Sequence, residues 1–232
     1  MNNTIECNGN NIEWGENNVP VATRFDDPYY SKHDGRAETQ HVFINGNELC
    51  ARFKEAENFH VAELGFGTGL NFLETLSHWH AHARDDGHLT YTSFELYPLS
   101  REEMTRALQS WPDLAALSTP FLDALSLQDG WQEVTIKNVT LRLAIGDANQ
   151  LIHQMPDLAD AWFLDGFSPA KNPELWNEGL MSALGQKTRL GGTFATYTAA
   201  GWVRRMLGEA GFEVERIKGF GHKRHMSVGQ RK

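Results

Sequence analysis

A glycine-rich stretch at residues 63–72 has the residue types and spacing that can hold a nucleotide-like cofactor. Glycines stand at positions 65, 67 and 69, directly after an apolar run that predicts a short strand. The residues that follow repeat with the period of a helix face: Phe72, Leu73, Leu76, Trp79 and His80. Glycine tolerates positive φ and lets the backbone come close to a ligand. The first free N–H groups of the following helix then point to that ligand. We therefore expect a cofactor loop, the alternative being a tight turn without a ligand.

The spacing of the glycines distinguishes between cofactors. A dinucleotide fingerprint requires Gly or Ala where this chain has Leu70. The pattern is instead E-x-G-x-G-x-G, which begins at Glu63 and resembles motif I of the class I S-adenosylmethionine-dependent methyltransferases. This resemblance implies a set of cofactor-binding residues: Glu63, Gly65, Phe66, Gly67, Thr68, Gly69 and Asn71.

Two more acids end predicted strands. Glu95 follows a β-branched and aromatic run, and Asp147 follows the alternating run of residues 139–145. A carboxylate at such a strand end can accept hydrogen bonds from ribose hydroxyls, so Glu95 is either a ribose ligand or a solvated charge. In the methyltransferase interpretation Asp147 contacts the adenine amino group, and in the other it only caps the next helix.

The elements that must position these residues alternate between strand and helix. Predicted strands at residues 59–64, 89–95, 139–145, 159–164 and 193–197 precede an antiparallel hairpin over residues 212–217 and 226–228. Predicted helices include residues 120–127 and 173–189. This order is the α/β, Rossmann-like layout of class I methyltransferases, with a seven-stranded, mostly parallel sheet. We expect residues 57–232 to form the methyltransferase domain and residues 1–56 a small extension packed on it.

Within the extension, residues 2–18 predict a small hairpin that contains Ile5, Ile12 and Trp14. Residues 25–31 combine aromatic and acidic side chains around Pro28, which indicates either a loop with buried aromatics or a lid over a ligand pocket.

Composition excludes several classes of protein. The 232 residues suffice for one α/β domain, and the net charge of −9 argues against general electrostatic coating of nucleic acid. Cys7 and Cys50 are too few for a disulfide framework, which favours a reducing compartment. We find no apolar run of membrane-spanning length and no signal peptide, and we expect a soluble, cytoplasmic protein. The ten histidines are scattered, and those at 78, 80 and 82 are spaced by two, so we expect no metal.

A second stretch makes the resemblance more specific. Residues 162–174 read W-F-L-D-G-F-S-P-A-K-N-P-E, a shaped loop after the fourth strand. Together with residues 25–31, 38–43, 63–72 and 218–224, it resembles the methyltransferase module of the MnmC-type tRNA 5-methylaminomethyl-2-thiouridine biosynthesis enzymes. The resemblance implies methyl transfer from S-adenosylmethionine to the amine of 5-aminomethyl-(2-thio)uridine at the wobble position of the tRNA anticodon stem-loop.

The resemblance also implies roles for individual residues. Asp165, beside the expected methyl donor, would orient the amine and accept its proton, unless it only shapes its loop. Phe167 would stack on the uracil or pack in the core. The other expected substrate contacts are Tyr30, Lys171, Arg204, Lys218, Lys223 and Arg224, the last four from a basic cluster late in the chain.

The chain departs from the bifunctional MnmC-type enzymes in one large respect. The flavin-dependent oxidase domain of the bifunctional enzymes has no counterpart here, so no FAD is expected. The chain is then either a fragment or, as its end soon after the last hairpin favours, a transferase that uses an aminomethyl nucleoside made by a separate enzyme. The rival functions are methylation of a small amine or a protein, and tRNA binding without catalysis.

Overall fold

The computed structural model describes residues 12–31 and 34–232 of the chain, which begin with a small antiparallel sheet. Its strands are β1 (Ile12–Trp14), β2 (Pro20–Ala22) and β3 (Asp27–Pro28). Of the predicted N-terminal hairpin, Ile12 and Trp14 lie on β1, which pairs with β2. Ile5 and Cys7 lie outside the described residues.

A large sheet of eight strands follows. The strands are β4 (Asn58–Leu64), β5 (His88–Glu95), β6 (Gly130–Ile136), β7 (Val139–Ile145), β8 (Ala159–Leu164), β9 (Thr188–Thr196), β10 (Phe212–Lys218) and β11 (His225–Arg231). Their order is β10-β11-β9-β8-β4-β5-β7-β6, and the five strands from β9 to β7 are parallel. The carboxyl ends of these five strands therefore meet at one edge of the sheet.

The predicted mostly parallel sheet with a C-terminal antiparallel hairpin is confirmed, but the predicted number of seven strands is wrong. The eighth strand is β6, an edge strand that pairs antiparallel with β7. Its side chains alternate only between exposed and partly buried, so the hydrophobic signal is weak. Lys137, in the turn to β7, has φ of 55° although it is not a residue type that signals such a turn.

Helices cover both faces of the large sheet. They are α1 (Gly35–Thr39), α2 (Leu49–Glu55), α3 (Leu70–His82), α4 (Arg101–Leu108), α5 (Pro112–Ala124), α6 (Ala148–Leu151), α7 (Glu178–Gln186) and α8 (Gly201–Glu209). Other helical segments are the 3-10 turns Glu16–Asn18, Ile152–Gln154 and Pro173–Leu175 and the π-helix Gln40–Asn45. Among the described residues, no helix is long and apolar enough to cross a membrane.

The core consists of two apolar clusters, one on each face of the sheet. Val61 and Phe163 point to the face covered by α2, α3 and α5, whereas Ala62 and Trp162 point to the face covered by α7 and α8. Adjacent residues of a strand thus enter opposite clusters, as the period of two requires. Both faces of β4 and β8 are buried. This explains the nearly continuous apolar sequence of β8, whereas β4 also buries the polar side chains of His60 and Glu63.

Two predicted helix ranges are wrong. The helix expected at residues 120–127 is α5, which begins at Pro112, where the missing N–H of proline costs no intrahelical bond, and continues through Pro120 on its exposed side. The helix expected at residues 173–189 is a 3-10 turn followed by α7. A new helix starts after Asn177, because the side chain of Asn177 accepts the backbone N–H of Leu180 and caps α7. Strand β9 already begins at Thr188. It includes Gly191 and Gly192, where a bulge interrupts its pairing with β8.

Candidate active site

The glycine-rich loop connects β4 to α3 at the carboxyl edge of the sheet. Gly65, Gly67 and Gly69 have φ of 90°, 53° and 78°, so the expected positive φ values are confirmed. At Gly65 an added Cβ would lie 3.0 Å from Cα of Gly166, because the loops after β4 and β8 touch there. The lack of side chains thus brings the glycine-rich loop and the Asp165 loop together.

Glu95 holds the glycine-rich loop in place from the end of β5. Its Oε2 accepts the backbone N–H of Gly67 at 2.9 Å, and its Oε1 accepts that of Tyr97 at 2.7 Å. Burial raises the pKa of Glu95, which these backbone donors oppose. Asp147, after β7, accepts the N–H of Asn149 at 2.9 Å, so its predicted capping role is confirmed.

Asn71 connects two buried acids through one side-chain amide. Its Nδ2 donates to Oε1 of Glu63 and to Oδ2 of Asp165, both at 2.8 Å. Its Oδ1 accepts from the hydroxyl of Thr39 at 2.7 Å, which fixes the orientation of the amide. Glu63 also accepts from Ser93 at 2.7 Å. The ends of β4, β5 and β8 and the start of α3 are thus joined in one network.

Both acids hold their protons more strongly than usual. Burial raises the pKa of Asp165 to about 7, with the negative charge of Glu38 adding to the rise and the bond from Asn71 opposing it. Burial raises the pKa of Glu63 to about 8, against the bonds from Ser93 and Asn71. An acid with a pKa of about 7 can accept and release a proton near neutral pH, which is the property of a general base.

A cavity of about 1070 Å³ lies above this edge of the sheet. Most of the residues with an expected cofactor role line it: Gly65, Phe66, Gly67, Thr68, Asn71, Glu95 and Asp147. Glu63 is fully buried behind the loop, and Gly69 starts α3 against the ring of Phe66. Asp165, Phe167, Tyr30 and Lys223 line the cavity as well, so the donor and acceptor residues expected from the sequence share one space.

Aromatic side chains form one wall of the cavity. Phe167 stacks on Phe25 with ring centroids 4.4 Å apart and meets Tyr29 edge-on at 5.2 Å. Tyr30 donates to the backbone oxygen of Ala107 at 3.1 Å, and burial raises its pKa to about 12. Residues 25–31 therefore border the cavity with partly buried aromatic rings, which fits both interpretations of this segment.

The expected basic contacts are divided between different places. Lys223 lies at the cavity, 2.8 Å from a carboxylate oxygen of Glu38 and 4.2 Å above the ring of Tyr197. Lys218 and Arg224 are exposed on the same hairpin. Lys171 instead donates to the backbone oxygen of Asp26 and lies 3.3 Å from its carboxylate. Arg204 is partly buried on α8.

Two cavity residues received no role from the sequence. Glu38 raises the pKa of Asp165, and Tyr197 donates to the backbone oxygen of Gly166 at 3.0 Å. Tyr197 directly follows β9, just as Asp165 follows β8. Its position at a strand end was a signal that could have identified it, whereas no local pattern identifies Glu38.

Comparison with known proteins defines the class first. The family model described as S-adenosyl-L-methionine-dependent methyltransferase matches residues 113–232, just over half of the sequence, and the chain belongs to this family. Two curated relatives are both named tRNA 5-methylaminomethyl-2-thiouridine biosynthesis bifunctional protein MnmC. The relative from Aeromonas hydrophila is 42% identical over 95% of this chain and 35% of its own length. The relative from Chromohalobacter salexigens is 44% identical over 94% of this chain and 32% of its own length.

The expected relationship to the MnmC-type methyltransferase module is therefore confirmed, and the chain spans about a third of the length of the curated relatives it matches. Among solved structures, MnmC2 from Aquifex aeolicus has the same fold, with a TM-score of 0.79 and 23% identity over 95% of this chain and 70% of that one.

Proposed function

We propose that this chain methylates the amine of 5-aminomethyl-(2-thio)uridine at the tRNA wobble position with S-adenosylmethionine as donor. The observation that carries the proposal is the position of Asp165, an acid with a pKa near neutrality that is held by Asn71 and faces the same cavity as the glycine-rich loop. The sequence identity to MnmC proteins supports this choice of substrate.

The residues of the glycine-rich loop fit the donor. Gly65 and Gly67 leave room for a ligand at the backbone, and Glu95 and Asp147 present carboxylates to the same cavity. We assign Glu95 to the ribose hydroxyls and Asp147 to the adenine amino group. S-adenosylmethionine, when bound, supplies an electrophilic methyl group.

Asp165 acts on the acceptor amine. Asn71 binds Oδ2, so we assign Oδ1 to the substrate nitrogen, which must be neutral to react. The carboxylate orients the amine and takes up one of its protons. Positioning of the nitrogen in line with the methyl group supplies much of the remaining acceleration. Phe167 and Tyr30 are assigned to the uracil, which an aromatic wall can hold by stacking.

The segment of residues 12–56 is proposed to complete the acceptor side of the methyltransferase domain. It contributes Tyr29, Tyr30 and Glu38 to the cavity and Thr39 to the Asn71 network. We assign the anticodon-loop phosphates to Lys218, Lys223 and Arg224. Lys171 and Arg204 are assigned to outer phosphate contacts, because Lys171 already pairs with Asp26 and Arg204 is partly buried.

Mass spectrometry of nucleosides tests the function. Bulk tRNA from cells that lack the modification is incubated with the protein and S-adenosylmethionine, digested and compared with tRNA incubated with Asp165→Asn. We expect 5-methylaminomethyl-(2-thio)uridine with the wild-type protein and at most a small fraction of that amount with Asp165→Asn in the same time. Methylation of small amines or proteins in place of tRNA would favour a methyltransferase with that other substrate. Binding of tRNA without any product would favour a non-catalytic tRNA-binding protein.

A further inference from the structure

Three side chains with metal-binding atoms meet on the surface away from the cavity. Cys50 on α2 lies beside His78 and His82 on α3, and Sγ of Cys50 is 3.3 Å from Nδ1 of His78. One ligand atom of each residue lies within 4.8 Å of those of the other two. The two imidazole rings are nearly parallel, with an interplanar angle of 16° and centroids 5.8 Å apart.

The helix period explains this arrangement. His78 and His82 are four residues apart and project from the same face of α3. The expectation of no metal was based on histidines spaced by two, which do point in different directions, and not on the spacing of four between His78 and His82. Cys50 reaches the same place because α2 packs alongside α3, with Phe53 against Trp79 at a centroid distance of 5.0 Å.

A carboxylate stands behind one of the rings. Nε2 of His78 lies 3.2 Å from Oε1 of Glu74, whose side chain is 1% exposed and also bound by Arg36 at 2.8 Å. With Nε2 directed to Glu74, Nδ1 is the nitrogen that faces Cys50. A carboxylate that accepts from the distal nitrogen of a ligating histidine is the usual outer contact of zinc sites.

We propose that Cys50, His78 and His82 bind one Zn²⁺ ion, with water in the fourth position. A tetrahedral zinc ion with Zn–S of about 2.3 Å and Zn–N of about 2.0–2.1 Å requires a sulfur to nitrogen distance of roughly 3.5 Å, close to the separation of Cys50 and His78. All three side chains are partly exposed, so small rotations can close the remaining gaps and the ion has access from solvent. Thiolate and imidazole select Zn²⁺ over Mg²⁺ or Ca²⁺.

The ion would tie α2 to α3, the helix that starts at the glycine-rich loop. This inference is independent of the proposed tRNA activity, because none of the three ligands lines the cavity. The proposed ion differs from the sequence-based expectation that the chain binds no metal.

Cobalt binding tests the site without any activity measurement. The chelator-treated, reduced protein is titrated with Co²⁺, and bound Co²⁺ is then displaced with Zn²⁺. We expect one equivalent of Co²⁺, a thiolate-to-cobalt charge-transfer absorption, and full displacement by Zn²⁺. Cys50→Ser should abolish the absorption, and His82→Gln should weaken Zn²⁺ binding at least about tenfold.

Two control variants separate this site from others. His80→Gln lies on the same helix outside the cluster and should keep the absorption and the affinity. Cys7→Ser removes the other thiol of the sequence, and a site whose thiolate comes from Cys50 should likewise keep both. Circular dichroism of each metal-free variant verifies its fold, and if Cys50→Ser does not fold, the partly exposed His82→Gln decides. Absence of the thiolate absorption in the folded wild-type protein, its survival in Cys50→Ser, or unchanged Zn²⁺ affinity in His82→Gln would overturn the proposal.

Discussion

Glu63 and Asp165 lie at the ends of neighbouring parallel strands and share one amide donor, but they face different surroundings. Glu63 is fully enclosed and accepts from Asn71 and Ser93, whereas Asp165 borders the cavity. The same amide therefore holds one acid as part of the core and the other at the cavity. Burial is the main cause of the raised pKa of both carboxyl groups, but only the raised pKa of Asp165 is available to a molecule in the cavity.

Replacement of the cavity-side acid should have the largest effect. In Asp165→Asn the group that takes the amine proton is lost, so we expect kcat to fall by about 10²–10⁴-fold. The affinity for S-adenosylmethionine should change little, because Glu95 and the glycine-rich loop are untouched. Methyl transfer to tRNA and calorimetric donor binding measure the two effects. Asp123→Asn, an exposed acid on α5, is the matched control, and near-normal turnover of Asp165→Asn would refute the assignment.

Removal of the shared amide should disturb both acids. Asn71→Leu leaves Glu63 and Asp165 without their common donor, so we expect a loss of about 1–3 kcal/mol in the free energy of unfolding. The misdirected Asp165 should also lower kcat by roughly 10²-fold. Urea unfolding and turnover assays measure these changes. Thr75→Val, one turn later on α3, serves as control, since its hydroxyl bonds only to the backbone oxygen of Asn71. Equal effects of the two variants would show that Asn71 has no special role.

The core-side acid should affect stability more than catalysis. The folded protein holds protons on Asp165 up to about pH 7 and on Glu63 up to about pH 8, whereas the unfolded chain releases them near pH 4. The contribution of these two groups to the free energy of unfolding is therefore greatest below about pH 4 and falls as the pH rises towards 8. The fall is up to about 1.4 kcal/mol per pH unit for each retained proton. Glu63→Gln should remove its part of this slope and change kcat only a few-fold.

Urea unfolding between pH 5 and 9 measures the slope. Asp165→Asn provides the comparison, because it removes only the contribution that ends near pH 7. A wild-type slope retained in Glu63→Gln would mean that Glu63 is ionised in the folded protein.

The basic residues of the β10–β11 hairpin should have the smallest effect, seen mainly in the salt dependence of tRNA binding. Lys223→Ala with Arg224→Ala should lower the slope of log affinity for tRNA against log salt by about one or two. Lys54→Ala with Lys137→Ala removes the same charge from exposed positions next to the amino-terminal ends of β4 and β7, and should leave the slope unchanged. Equal slopes in both double variants would place the tRNA elsewhere.

The cavity residues in the glycine-rich loop and at the strand ends were predictable because their sequence signals are local. Glycine spacing, a helical period after Leu70 and acids at strand ends all lie within short windows, and the structure brings Gly65, Glu95 and Asp147 to one cavity as expected. The role of Asn71 was not predictable, because its partners lie eight residues before it and 94 residues after it. The edge strand β6 was missed because its side chains are not fully buried on either face.

The Cys50, His78 and His82 cluster was missed for a similar reason. It requires knowing that α2 packs against α3, a contact that no spacing in the sequence encodes. The start of α5 and the end of α7 were misjudged because proline and glycine were interpreted as boundaries, whereas Pro120 lies inside a helix and Gly191 inside a strand.

The pH dependence of single-turnover methyl transfer to tRNA tests the central claim most directly. We expect the rate of the wild-type protein to rise with pH through a midpoint of about 7, as Asp165 loses its proton, and Glu63→Gln to keep this rise. The residual rate of Asp165→Asn should lack it. An unchanged midpoint in Asp165→Asn would contradict the account, because another group would then take the proton.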